Sequence, residues 1–129
     1  MKYVTNLEIS KRLKDLGVKQ ESEYYWCEIL DSIMPHANGI TLTCGIDNAK
    51  GYSKSYEKVN IYSAFLVGEL GEMLNGCLSG RYAMGDCYFA QNGFPASADH
   101  CFEDKSEANC RGKLLIYLLE QGLIKKEEI

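Results

Sequence analysis

The stretch Ile61-Tyr62-Ser63-Ala64-Phe65-Leu66-Val67-Gly68-Glu69-Leu70-Gly71-Glu72-Met73-Leu74 constrains the fold more than any other part of this chain. Val59 to Tyr62 has strand character and Ser63 is a good helix cap. Ala64, Val67, Leu70, Met73 and Leu74 then recur at helical spacing until Asn75-Gly76 stops them. A stripe of that kind must be buried against another element, so the spacing predicts a helix over 64–75 entered directly from a strand.

The flanks supply the partners. Thr5-Asn6-Leu7-Glu8 has the spacing of a capping box, Leu7, Ile9, Leu13 and Leu16 form an apolar face, and Gly17 closes a helix predicted over 6–16. Residues 21–30 read as a strand with Tyr25, Cys27 and Ile29 on one face and Tyr24 and Trp26 on the other. Pro35 and Asn38-Gly39 mark a turn, and 40–46 alternates cleanly, so the two segments are expected to pair antiparallel. The polar stretch 47–58 is expected as a surface excursion or short irregular turn. Residues 81–90 carry strand composition, with Tyr82, Met84 and Tyr88 on one face, and 91–102 is expected as a loop or short edge segment.

A final helix begins at Asp104-Lys105-Ser106-Glu107 and ends at Gly122. Ala108, Gly112, Leu115 and Leu119 share its apolar face, with Gly112 as a point of close packing. The resulting expectation is one α+β domain over 1–129, in the order α-β-β-α-β-α, with a small, mainly antiparallel sheet of three or four strands packed on about three helices, and a frayed tail at 124–129.

Length and composition agree with a globular chain. A domain of 129 residues can bury its own core, and 46% hydrophobic against 25% charged residues excludes disorder as the main state. No apolar run reaches the length of a membrane span or resembles a signal peptide, so a cytoplasmic protein is expected, with its six cysteines as thiols. The formal charge of −4 argues against direct nucleic-acid binding, which rests on cations displacing counterions from phosphates. Charge is also uneven. Residues 1–20 are basic, whereas 63–110 hold Glu69, Glu72, Asp86, Asp99, Glu103, Asp104 and Glu107 against Arg81 and Lys105, a face suited to a partner protein with a basic surface.

Motifs for chemistry are sparse. Cys87, His100, Cys101 and Cys110 are the residue types that zinc selects, but no Cys-x-x-Cys occurs, and the adjacent His100 and Cys101 point apart in an extended segment. No metal or cofactor is therefore expected. His36 and His100 are the only imidazoles, no nucleophile elbow accompanies them, and Gly68 and Gly71 fall inside a helical pattern without a phosphate-loop lysine. No catalytic residue is assigned. Tyr52 and Tyr56, in a polar segment, are expected to be exposed and available to a partner or ligand.

Leu7-Glu8-Ile9-Ser10-Lys11-Arg12-Leu13-Lys14-Asp15-Leu16-Gly17-Val18, Glu23-Tyr24-Tyr25-Trp26, Tyr62-Ser63-Ala64-Phe65 with Glu69-Leu70-Gly71-Glu72-Met73-Leu74, and Glu107-Ala108 with Lys113-Leu114-Leu115-Ile116-Tyr117-Leu118-Leu119-Glu120 together resemble a group of small phage and prophage proteins. The resemblance implies a phage-encoded accessory protein in the host cytoplasm and transfers no functional residues. The cysteines and histidines lie outside it, and 47–58 departs from the shorter connection of the group. Two classes of function follow. The leading one is a non-enzymatic binder, such as an inhibitor of a host defence system of the CRISPR type. The alternative is a small-molecule or nucleotide-handling domain, as sponge or enzyme, with its site between the sheet and 47–62, or a small zinc-binding protein.

Overall fold

In a computed structural model of the chain, which describes residues 3–30, 39–74, 77–81, 87–91 and 101–129, the first helix starts at Asn6 rather than Thr5. The Asn6 side chain accepts from the Ile9 N–H at 2.8 Å and opens α1 (Leu7–Asp15). Thr5 is wholly buried and serves a long-range junction. Its N–H donates to Phe65 O at 3.0 Å, and its carbonyl accepts the Trp26 indole N–H at 2.8 Å. Its Oγ1 accepts from Phe65 N at 3.1 Å and pairs with Ser10 Oγ at 2.7 Å. The expected Thr5–Glu8 box gives way because a hydroxyl committed to another segment cannot also cap its own helix.

The chain continues through β1 (Tyr24–Ile29), β2 (Ile40–Cys44), α2 (Ile46–Ser55), β3 (Val59–Ala64), α3 (Val67–Met73), β4 (Leu78–Arg81), β5 (Tyr88–Gln91), β6 (Cys101–Asp104) and α4 (Glu107–Glu120). This is an α+β fold, and its strands form two antiparallel sheets, β2-β1-β3 and β4-β5-β6, where a single sheet was expected. The pairing of β1 with β2 is as expected, with Trp26 opposite Leu42 and Tyr24 opposite Cys44.

Other departures from the expected layout have identifiable causes. The 47–58 stretch is largely helix, because Ala49 is buried with Tyr25 and Cys27 of the sheet and Tyr52 packs against that cluster. The helix predicted over 64–75 is shorter, since β3 runs on through Ser63 and Ala64 to pair with Tyr25 and Tyr24. The first turn of α3 is closed instead by Glu69, whose carboxylate accepts from Leu66 N at 2.7 Å. The single strand expected over 81–90 is replaced by β4 and β5, with Arg81 paired antiparallel to Tyr88; Tyr82 and Met84 lie outside the described residues. Cys101–Asp104, which overlaps the end of the expected loop or short edge segment, is the four-residue edge strand β6 of the second sheet.

Two cores result. The main one joins Ile9 and Leu13 of α1, Phe65, Leu70 of α3, Ala90 of β5, and Ala108, Cys110, Leu114, Leu115 and Leu118 of α4. Gly112 is the close approach between α4 and α1: an added Cβ would lie 2.6 Å from Ile9 Cγ2 and 3.1 Å from Thr5 Cγ2. Ser106 caps α4 by accepting from Asn109 N at 3.2 Å, and Gly17 and Gly122, at φ 86° and 68°, take the left-handed conformation that ends α1 and α4. Ile124 and Ile129 of the terminal segment pack against this core. The second core is small: Tyr25, Cys27 and Ala49 between α2 and the first sheet, flanked by Tyr52, Val59 and Ile61.

Among the described residues no helix is long and apolar enough to cross a membrane.

Candidate functional site

Helix α2 carries a surface depression that coincides with residues singled out in the sequence. At 100° per residue, Asn48, Gly51, Tyr52 and Ser55 fall on one stripe, and together with Tyr56 they line a shallow hollow of about 240 Å³. The Tyr52 and Tyr56 rings stack, with centroids 6.5 Å apart and planes within 13°. Both are half-buried rather than fully exposed, because Tyr52 also leans on the small core. Gly51 leaves the floor open: a Cβ there would meet no atom within 4 Å.

The polar groups of the hollow have one character. Asn48 donates its Nδ2 to Cys44 O at 2.7 Å, which turns Oδ1 away as a spare acceptor. Ser55 donates its hydroxyl to Gly51 O at 3.1 Å, leaving its lone pairs. Lys50 and Lys54 lie more than about 100° around the helix from the middle of this stripe. The hollow is therefore an aromatic surface edged by acceptors, which suits a flat or cationic group that brings its own donors.

Of the five described acids of the expected face, three are spent on structure. Glu69 accepts from both Leu66 N and, at 3.0 Å, Glu23 N, tying α3 to the start of β1. Asp104 accepts from Ser106 N at 2.8 Å and pairs with Lys113 at 2.7 Å. Burial opposes its charge, but the Lys113 and Ser106 hydrogen bonds prevail and hold its carboxyl below the usual range. Glu107 pairs with Arg111 at 3.2 Å, and Arg111 reaches on to Val67 O at 2.9 Å across the space that Gly71 leaves. Glu72 and Glu103 are exposed. Asp86 and Asp99 lie outside the described residues.

The cysteines do not assemble. Tyr88 pairs with Asp104 and Gln91 with Cys101, so Cys87 and Cys101 stand at opposite ends of the β5–β6 ladder, about 13 Å apart along the strands. Cys110 lies buried between them, its thiol directed at Phe102 O (3.1 Å) and Tyr88 O (3.4 Å), and burial pushes it up to about 12. Among the described residues no three His, Cys, Asp or Glu side chains come together as a metal site. His100 and His36 lie outside those residues.

One cluster escaped sequence reasoning. Lys11 of α1 meets Glu28 of β1 at 2.7 Å, Glu28 also accepts from Asn60 at 3.4 Å, and Lys11 and Lys14 stand 5.6 and 5.0 Å from the Tyr62 ring centroid. The Lys11 hydrogen bond holds the Glu28 carboxyl below its usual range, and Glu28 in turn raises Lys11. Burial, then Glu28, pushes the Tyr62 phenol up. All three therefore keep their ordinary charge at neutral pH, and the cluster docks α1 on β3 rather than poising a proton for transfer.

No family model, no curated protein and no solved structure matches this chain.

Proposed function

We propose that this protein acts by binding, and that its contact surface is the outer face of α2, where Tyr52 and Tyr56 receive a basic side chain of a partner protein. The observation that carries this reading is the acceptor-edged aromatic hollow itself. Its volume favours the binding reading. At about 240 Å³ it falls below the roughly 300–1,000 Å³ of pockets that enclose a small molecule, yet it can seat one side chain. A guanidinium stacked on a tyrosine face while donating to Asn48 Oδ1 and Ser55 Oγ is the best chemical fit.

A partner with a basic surface was also the expectation from the acidic block over 63–110, but the proposed contact shifts from that block to α2. The finer reading is a phage accessory protein that restrains a host defence enzyme, and it is supported by the resemblance to small phage proteins.

Amide chemical shifts followed during titration with an arginine-containing peptide, an otherwise identical lysine peptide and a neutral one test the contact. Perturbations should centre on residues 48–56, be largest for arginine, and vanish in Tyr52→Ala/Tyr56→Ala. Equal or absent perturbation by all three peptides refutes the site. The finer reading requires that expression restore phage plating on a host with an active defence system and that the double variant fail to do so.

A further inference from the structure

The two edges of the first sheet are treated differently. On β3, Val59, Ile61 and Ser63 turn their backbone groups outward, with Phe65 just beyond the strand, and side chains or backbone of neighbouring segments hold part of this edge. Lys14 Nζ donates to Ile61 O at 2.9 Å, Gln20 Oε1 accepts from Ser63 N at 2.8 Å, and Thr5 bonds both groups of Phe65. Sealing of this kind is how natural sheets prevent strand addition. On β2, Thr41 and Thr43 turn their backbone groups toward β1, as the bond from Gly45 N to Glu23 O fixes, so Ile40, Leu42 and Cys44 direct theirs outward. Among the described residues the only group on that edge with a partner is Cys44 O, held by Asn48.

Strand β2 also lacks the usual deterrents. Its sequence Ile-Thr-Leu-Thr-Cys contains no charge and no proline. Ile40 and Leu42 are only half-buried, on the same sheet face as Tyr24 and Trp26, and the helix on that side, α1, packs on β3.

We infer that β2 is a pairing edge for a second copy of this chain, joined antiparallel about a two-fold axis through Leu42 into a six-stranded sheet β3-β1-β2-β2-β1-β3. The self-complementarity is specific. Centring on Leu42 places Leu42 opposite its own copy and Ile40 opposite Cys44, so the two Leu42 residues exchange both bonds and Cys44 N can donate to Ile40 O while Cys44 O stays with Asn48; no like charges oppose, and the apolar side chains of the two copies merge into one strip. Lys14, Gln20 and Thr5, which hold part of the β3 edge, oppose growth beyond two copies. An axis normal to the sheet keeps both α2 helices on one face, which makes two Tyr52–Tyr56 hollows available to one partner. A strand of about 17 Å presents less than the roughly 800 Å² per partner of a standard stable interface, so the dimer is weak and depends on concentration.

Sedimentation of the full chain from micromolar to about millimolar concentration should show a 14.5 kDa monomer passing toward twice that mass. Leu42→Pro removes only an outward N–H and leaves the β1–β2 ladder its bonds, and Leu42→Lys adds an edge charge. Both should stay folded by circular dichroism and weaken dimerisation at least about tenfold. Register is tested separately. In Ile40→Cys, mild oxidation should join the introduced thiol of one copy to the native Cys44 of the other, identified by peptide mapping, whereas Thr41→Cys, on the opposite face, should not cross-link to Cys44. A monomer throughout the range, dimers undiminished in both Leu42 variants, or equal cross-linking in the two cysteine variants overturns the inference. None of these measurements depends on Tyr52 or Tyr56, so the dimer and the peptide contact succeed or fail independently.

Discussion

Replacing Thr5 by valine probes the junction on which α1, β1 and β3 meet. The change preserves shape and deletes one oxygen, Oγ1, which accepts from Phe65 N at 3.1 Å and pairs with Ser10 Oγ at 2.7 Å. Phe65 N–H is then buried without a partner, at a cost of about 1–3 kcal/mol. Ser10 Oγ keeps only its longer 3.3 Å bond to Thr5 O. A methyl in place of Oγ1 would also stand 2.7 Å from Ser10 Oγ, well inside the roughly 3.5 Å of an ordinary contact, which adds about 1 kcal/mol of overpacking. The sum is about 3 kcal/mol. With an unfolding entropy of about 2.1 cal/mol/K per residue, a chain of 129 residues should lose about 10 °C in Tm. Thr5→Ser, which keeps the oxygen and removes one methyl, should lose only about 1 kcal/mol. Urea denaturation of wild type, Thr5→Val, Thr5→Ser, Ser10→Ala and the Thr5→Val/Ser10→Ala pair gives the coupling directly, expected at about 1 kcal/mol. If Thr5→Val lies within about 0.5 kcal/mol of wild type, or Thr5→Ser is equally damaging, the junction does not hold the fold as described.

Two further outcomes follow from packing and burial. Gly112→Ala should gain about 1 kcal/mol of helix propensity yet destabilise by a net 1 kcal/mol or more, because the β-branched Ile9 cannot swing its methyl aside; a Tm at or above wild type would contradict the close approach of α4 to α1. Since burial raises the folded Cys110 thiol from 9.0 to about 12, the unfolded chain ionises first, and the stability this group contributes is complete below pH 9.0 and lost as pH climbs toward about 12. The urea midpoint of wild type should therefore fall relative to Cys110→Ala between pH 8 and pH 10.5, and parallel curves would count against it.

Features set by a few neighbouring residues were legible in the sequence. Ser106 and Gly122 bound α4, Gly17 ends α1, Gly112 is a packing point, and β1 pairs with β2. Features decided by distant partners were not. Ser63 has the chemistry of a helix cap, but the ladder to Tyr25 outweighs it, and Thr5 gives up capping for Phe65 and Ser10. Helix α2, with Gly51 and two serines, has little intrinsic propensity and forms where Ala49 and Tyr52 find the sheet. Without that helix, Asn48 and Ser55 could not be placed beside Tyr52 and Tyr56. Counting charges likewise could not separate Glu69, Asp104 and Glu107, which hold local structure, from Glu72, which is exposed.

The small second core has a kinetic and energetic meaning of its own. Among the described residues three are buried where α2 meets the first sheet, against twelve in the main core, so α2 should open more readily than the helices of the main core. A partner that grips Tyr52 must first find α2 closed, and its apparent affinity is scaled by the fraction of molecules in that state. Substitutions beneath the helix, at Ala49 or Cys27, would then tune recognition without touching the partner at all.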